Sequence, residues 1–366
     1  MNCAVLDGRD YIEEIINLTE KLTKDKNYYI QLMTCFSLSQ LARNRLTVMP
    51  DNKEELFFNK EKKKALGMAK RVEDVAFELL EKFSKLESKP RDVLMGALIR
   101  VFGHIRGLNQ KKAKELLESV SKCREEVISE SAPLFIYLAE FRQKDFKKWK
   151  WQMPGLYDDL ENFDNKPFQK LLEDIFRRRN SEINSSFAWH FWKLVKESVP
   201  DKADIKNVVR YSEAFEIANR YLNILADSYD HQTFKNIYYF IQENISERFE
   251  ECYKLWQKCL EKEWPAMERL IKEGKLYEVS WWPFYYNDEI LTIIKQKAGD
   301  EEFLNSLEFL LDYPKEANIG EISKMVEVLQ DLPSEYAQRT EKVFDKLIAR
   351  NSAFYDIKEA WKKKIK

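Results

Sequence analysis

The sequence predicts an all-α protein, and three observations carry that prediction. Glycine is scarce (9 of 366 residues) while charged residues reach 34% and aromatics 13%, the profile of helices with charged outer faces and aromatic inner ones. Apolar residues recur at i, i+3, i+4 and i+7 along several stretches, and no run shows the period-two alternation of a strand. The prolines fall where helices begin or end, as expected of a residue tolerated in the first helical turn and disruptive later.

In chain order, Val72, Val75, Ala76, Leu79, Leu80, Phe83 and Leu86 define one apolar stripe in a helix ending near Ser88. Phe234, Ile237, Tyr238 and Ile241 define another, followed by Phe303, Leu304, Leu307, Leu310 and Leu311, and then Ile322, Met325, Val326 and Leu329. Pro50, Pro90, Pro133, Pro154, Pro167, Pro200, Pro265, Pro283, Pro314 and Pro333 mark boundaries. Ser131-Ala132-Pro133 and Asn165-Lys166-Pro167 predict capped helix starts. Further breaks are expected near Tyr229, Asn244, Trp264, Gly299 and Leu332.

From about Asp204 onward, helix-sized segments follow one another with short links. This resembles, in architecture, the stacked helical hairpins of HEAT or TPR solenoids, although no repeat consensus aligns one hairpin to the next. An irregular helical bundle is the alternative. Met153-Pro154-Gly155 and the acidic, turn-prone run Asp158 to Asp164 predict a division near 155, giving an N-terminal helical domain over 1–155 and a helical-repeat-like domain over 156–366. No tryptophan precedes Trp149, so the two parts fill their cores differently. The division is equally compatible with a loop in one continuous array.

Sixty-one Lys and Arg against 62 Asp and Glu leave a formal net charge of -1, so no global field draws the chain to nucleic acid or to a membrane. No stretch reaches the ~18 apolar residues of a membrane span, and the first residues lack a basic region followed by an apolar one, so a cytoplasmic location is expected. Five cysteines, Cys3, Cys35, Cys123, Cys252 and Cys259, form no disulfide framework and read as buried thiols. Cys252 and Cys259 share a helical face, but no CxxC spacing or nearby His completes a metal site.

Catalytic chemistry finds no support, and neither a cofactor nor a small-molecule substrate is predicted. His104, His190 and His231 stand in no HExxH, ExxH or Arg-x(4-6)-His frame. No GxxxxGK[ST], GxGxxG or GxSxG occurs. Asp158-Asp159-Leu160-Glu161-Asn162 resembles the aspartate-rich motif of class I terpene synthases, which implies magnesium-diphosphate chelation with a second Asn/Ser/Glu motif. Asn287-Asp288 begins such a motif, but Leu291 and Lys295 stand where a hydroxyl and a carboxylate are required. An acidic solvated loop is the reading that remains.

Two segments are candidate binding sites. Around Phe146, the residues Arg142, Lys144, Lys147, Lys148, Trp149, Lys150 and Trp151 interleave cations with rings, which suits phosphate neutralisation and base stacking on single-stranded nucleic acid. The plain alternative is a core face of Phe146 and Trp149 with solvated lysines around it. Trp281, Trp282, Phe284, Tyr285 and Tyr286 surround Pro283, and such large amphipathic rings are enriched at protein-binding hot spots, although they also serve to wedge hairpins together. Further basic clusters are Lys60 with Lys62 to Lys64, Arg177 to Arg179, and Lys362 to Lys364 with Lys366. The sequence therefore points to a non-enzymatic helical scaffold or adaptor that binds another protein, as a subunit of a larger complex. The alternative is a nucleic-acid-binding subunit of a ribonucleoprotein or genome-defence complex.

Overall fold

The computed structural model describes residues 12–41, 110–140, 164–198, 205–275, 287–313 and 323–365, with single positions at 71, 74, 75, 78, 79, 82 and 86. Every regular element among them is helical. They are α1 (Ile12–Leu22), α2 (Tyr28–Leu41), α3 (Gln110–Val120), α4 (Glu125–Glu130), α5 (Ala132–Glu140), α6 (Lys166–Phe176), α7 (Ser181–Ser198), α8 (Ile205–Leu225), α9 (His231–Asn244), α10 (Phe249–Lys272), α11 (Asn287–Ala298), α12 (Asp300–Leu311), α13 (Ser323–Gln330), α14 (Ala337–Arg350) and α15 (Phe354–Ile365). A 3-10 turn over Ser334–Tyr336 leads into α14. Among the described residues no helix is long and apolar enough to cross a membrane.

The chain groups into two units, the first Met1–His190 with Leu194–Ala214 and the second Phe191–Lys193 with Phe215–Lys366. The boundary expected near 155 lies outside the described residues. In the first unit α1 and α2 pair across a short turn, where the Asn27 side-chain oxygen accepts the Tyr29 N–H at 2.9 Å and so caps α2. Helix α5 packs on α6 and Phe187 of α7 meets Phe135 and Phe176 edge-on, with centroids 6.0 and 5.1 Å away.

Two expected caps of this unit work differently. The Asn165 side chain caps nothing in α6; its Nδ2 reaches back to the Leu138 carbonyl at 2.7 Å and ties α6 to α5. The Ser131 hydroxyl likewise donates backwards to Val127 O at 2.6 Å, closing α4 instead of opening α5. The stripe around 72–86 is core at Val75 and Leu79 but exposed at Leu86.

In the second unit α9 packs along α10, α11 along α12, and α14 along α15. Beyond these sequential pairs, α9 also packs on α11, α11 on α13, and α12 on α14. The predicted stripes supply the buried faces: Phe234, Ile237, Tyr238 and Ile241 in α9, Phe303, Leu304, Leu307, Leu310 and Leu311 in α12, and Met325, Val326 and Leu329 in α13 are all core. Helix α9 starts where expected, with Asp230 Oδ2 accepting from Thr233 N at 2.8 Å.

Polar side chains cross between the helices that stack. Tyr253 of α10 bonds Glu302 and Ser306 of α12, and Gln242 of α9 bonds Glu289 of α11. Arg339 of α14 grips both carboxylate oxygens of Glu308, at 3.3 and 3.0 Å, and Asn305 Oδ1 at 2.8 Å.

The break expected at Trp264-Pro265 does not occur. Helix α10 continues through Pro265 to Lys272, because its buried stripe persists past the proline as Ala266 and Met267, while Pro265 itself sits exposed on the outer face. The other described prolines behave as predicted: Pro133 and Pro167 lie in first helical turns, and Pro333 precedes the 3-10 turn.

Candidate functional site

The two segments singled out by sequence, Arg142 to Trp151 and Trp281 to Tyr286, lie outside the described residues, as do Asp158 to Asn162, His104 and Lys60 to Lys64. What the structure does place are two remaining basic clusters, the buried thiols, and a set of polar groups in the core of the second unit.

Both basic clusters are in part paired with carboxylates of their own surroundings. Arg177 pairs with Asp174 at 3.1 Å and Glu173 at 3.8 Å, and Arg178 donates to the Ser121 carbonyl just past the end of α3, where a cation meets the negative pole of that helix. At the C-terminus Lys358, only 8% exposed, lies between Asp345 at 2.5 Å and Glu341 at 3.3 Å. Lys362 pairs with the same Glu341 at 2.7 Å, and Lys364 with Asp331 at 3.3 Å. Hydrogen bonds from Lys362 and Lys358 hold the Glu341 carboxyl below its ordinary range. A run of lysines in sequence is therefore a zipper joining α14, α15 and the turn after α13.

The core group is built on α10. Its buried face is Cys252, Leu255, Trp256, Cys259, Leu260, Glu263, Ala266 and Met267, and within that face Glu263 is the one charged residue. Glu263 is 1% exposed and accepts a hydrogen bond from the Tyr238 hydroxyl of α9 at 3.0 Å. Tyr313, directly after α12, spends its hydroxyl on the Leu260 carbonyl at 2.7 Å, while its ring lies 4.7 Å from that of Trp264. Tyr229, at the turn into α9, feels the charge of Glu263 and of Asp230.

Among the described residues no cation touches Glu263. Burial pushes its carboxyl up to about 8, and the Tyr238 hydrogen bond opposes this only in part. Burial first, and the Glu263 charge second, also drive the Tyr238 and Tyr313 hydroxyls and the Cys259 thiol upward. The group can hold a proton at neutral pH; its thiol and phenols are poor nucleophiles there.

The same helix carries a second buried polar contact. Trp256 donates its indole N–H to Asn287 Oδ1 at 2.8 Å, which fixes the first residue of α11. Among the described residues Asn287 Nδ2 is buried without a hydrogen-bond partner. Cys252, like Cys35 and Cys123, is buried and in no disulfide, as the scattered spacing predicts.

Sequence reasoning missed Glu263, although the signal was present. Residues 252, 255, 256, 259, 260, 263, 266 and 267 follow helical spacing, so a glutamate at 263 occupies a position the periodicity assigns to core. The Tyr238 partner, 25 residues away, carries no such signal.

Exposed large apolar side chains are scattered among the described residues. Tyr29 (72% exposed) and Met33 (54%) stand one turn apart on α2, a helix whose apolar residues are not confined to one side. Trp189, Phe309 and Tyr355 are the other large rings that remain open to solvent among the described residues. No family model, no curated protein and no solved structure matches the chain.

Proposed function

We propose that this chain is a non-catalytic helical scaffold that binds another protein as a subunit of a larger complex. The observation that carries the reading is the neighbour order in the second unit. Helices α9, α11 and α13 pack in succession, α12 packs on α14, and Trp264 of α10 meets Phe309 of α12 at 5.4 Å between centroids. That order is the one expected of stacked helical hairpins of the HEAT or TPR kind, in which each added hairpin lengthens a continuous face suited to a macromolecular partner.

The aromatic segment Trp281 to Tyr286 lies in sequence between α10 and α11, outside the described residues, and large amphipathic rings of this kind are enriched as anchors at interface centres. The exposed Tyr29 and Met33 add residue types enriched at interfaces. Pairing of Arg177, Lys358, Lys362 and Lys364 with carboxylates of the same chain favours a protein partner over nucleic acid, which needs unpaired positive charge.

Native pull-down with the full chain, followed by size-exclusion chromatography, tests the proposal. A stoichiometric protein partner is expected, and replacing Trp281 and Trp282 by Ala should weaken it by about 30-fold or more, the loss typical of one hot spot (~2 kcal/mol). Failure to recover any macromolecular partner refutes the scaffold reading. A salt-dependent electrophoretic shift with single-stranded RNA or DNA, its salt slope reduced by substituting Lys147, Lys148 and Lys150, would replace it with the nucleic-acid reading.

A further inference from the structure

A carboxyl group sealed in an α-helical core has two ways to be tolerated. It can be ionised beside a cation, or it can keep its proton. Glu263 lacks the first option among the described residues. Among the described residues the groups that face it are Tyr238 from α9, Tyr229 from the turn before α9, Cys259 one turn earlier on α10, and Tyr313 just past α12. None of these carries a positive charge.

Of the basic side chains on the same helix, Lys258, whose charge acts on Cys259, turns to Asp227 at 2.7 Å and to the Asn223 carbonyl at 2.6 Å, and Lys262 is exposed. Asp230 is already engaged with Thr233 at the start of α9. Tyr313 gives its only proton to Leu260 O. Among the described residues Tyr238 is thus the one hydroxyl that supports the carboxylate, and a single neutral hydrogen bond does not replace the hydration lost on burial.

We propose that Glu263 is a pH-responsive latch: as the neutral acid it joins α9, α10 and the end of α12 through a closed core, and its ionisation weakens that packing. The proposal concerns the second unit alone and stands whether or not the chain binds a protein partner.

The sign follows from proton counting. The folded chain binds the Glu263 proton up to about pH 8, whereas an unfolded chain releases it near the ordinary carboxylate value of 4.5. Between those limits the folded state holds one proton more than the unfolded state, so stability falls as pH rises. The latch's contribution to stability is full below the unfolded value and is lost as pH climbs through the folded one. This is opposite in sense to an ion-paired carboxylate.

The test compares full-length wild type with Glu263→Gln, which keeps the size, the acceptor for Tyr238 and a donor while removing the titration. Urea unfolding between pH 5 and 8 should give a ratio of folding equilibrium constants, wild type over variant, that falls by up to tenfold per pH unit. A difference infrared spectrum should show the carbonyl band of a buried neutral acid in wild type, lost at high pH and absent from Glu263→Gln. Tyr238→Phe should move that loss to lower apparent carboxylate occupancy at a given pH, because the only hydroxyl favouring the charge is gone. A pH-independent ratio, or a wild-type spectrum lacking the neutral-acid band at pH 6, overturns the proposal. An unfolded Glu263→Gln does not rescue it, because the infrared titration of wild type alone decides the protonation state.

Discussion

Replacing Trp256 by Phe should cost the second unit about 2 to 4 kcal/mol, and most of that loss should disappear when Asn287 is changed to Leu in the same chain. The indole is 1% exposed and its N–H is the partner of Asn287 Oδ1 at 2.8 Å. Phe keeps much of the ring but removes the donor. A buried acceptor left unpaired costs about 1 to 3 kcal/mol, and the missing part of the indole adds roughly 1 kcal/mol as incompletely refilled space.

Asn287 is 3% exposed and already carries a partnerless Nδ2, so Leu at this position removes one desolvated group while orphaning the indole N–H. The two effects oppose each other, and Asn287→Leu alone should lie near neutral. The double variant leaves neither orphan. Urea unfolding followed by far-ultraviolet circular dichroism gives all four corners of the cycle, and the expected coupling is about 1 kcal/mol or more in favour of the double variant. Additivity within roughly 0.5 kcal/mol would show that the indole-amide bond contributes nothing beyond packing, and the reasoning would fail.

Two further outcomes follow from the described backbone and burial. Gly299, which precedes α12, has φ 92° and ψ -179°, a conformation essentially confined to glycine, and a Cβ there would meet nothing within 4 Å. Gly299→Ala should therefore destabilise by about 1 to 3 kcal/mol through backbone strain alone, measured by thermal unfolding, and an unchanged midpoint would refute the strain argument. Cys35, Cys123, Cys252 and Cys259 are buried, and burial pushes the Cys35 thiol up to about 12 and the Cys252 and Cys259 thiols upward as well. A thiol-specific aromatic disulfide at pH 8 should label these four only at the rate of unfolding, and rapid native labelling of Cys259 would contradict a closed core around Glu263.

Helicity was legible because it is a local property. The stripes at 234–241, 303–311 and 325–329 need only their own spacing to declare which face is buried, and each is core in the fold. Failures arose where a residue's role depends on something distant. Pro265 read as a boundary since proline is unfavourable inside a helix, but the stripe of α10 continues on the opposite face and outweighs it. Asn165 read as a cap, and the Leu138 carbonyl 27 residues earlier claims its amide instead. Glu263 was visible as a charge in a core register, whereas its lack of a cationic partner is a fact of three dimensions. The candidate segments at 142–151 and 281–286 belong to the part of the chain outside the described residues.

The lysines at the C-terminus show how little a linear run of charge says about a field. Lys362, Lys363, Lys364 and Lys366 read as a basic cluster in sequence, yet in the fold Lys362 meets Glu341 and Lys364 meets Asp331, while Lys358, one turn earlier, meets Asp345. The same holds for Arg339 with Glu308, for Lys258 with Asp227 and for Arg248 with Glu216 and Glu251. Paired charges of this kind produce potentials that fade well within the ~8 Å screening length of physiological salt. On the scaffold reading proposed above, recruitment would be by contact and not by long-range steering, and the anchors proposed at Trp281, Trp282, Phe284, Tyr285 and Tyr286 would set its selectivity in a chain whose formal charges sum to -1.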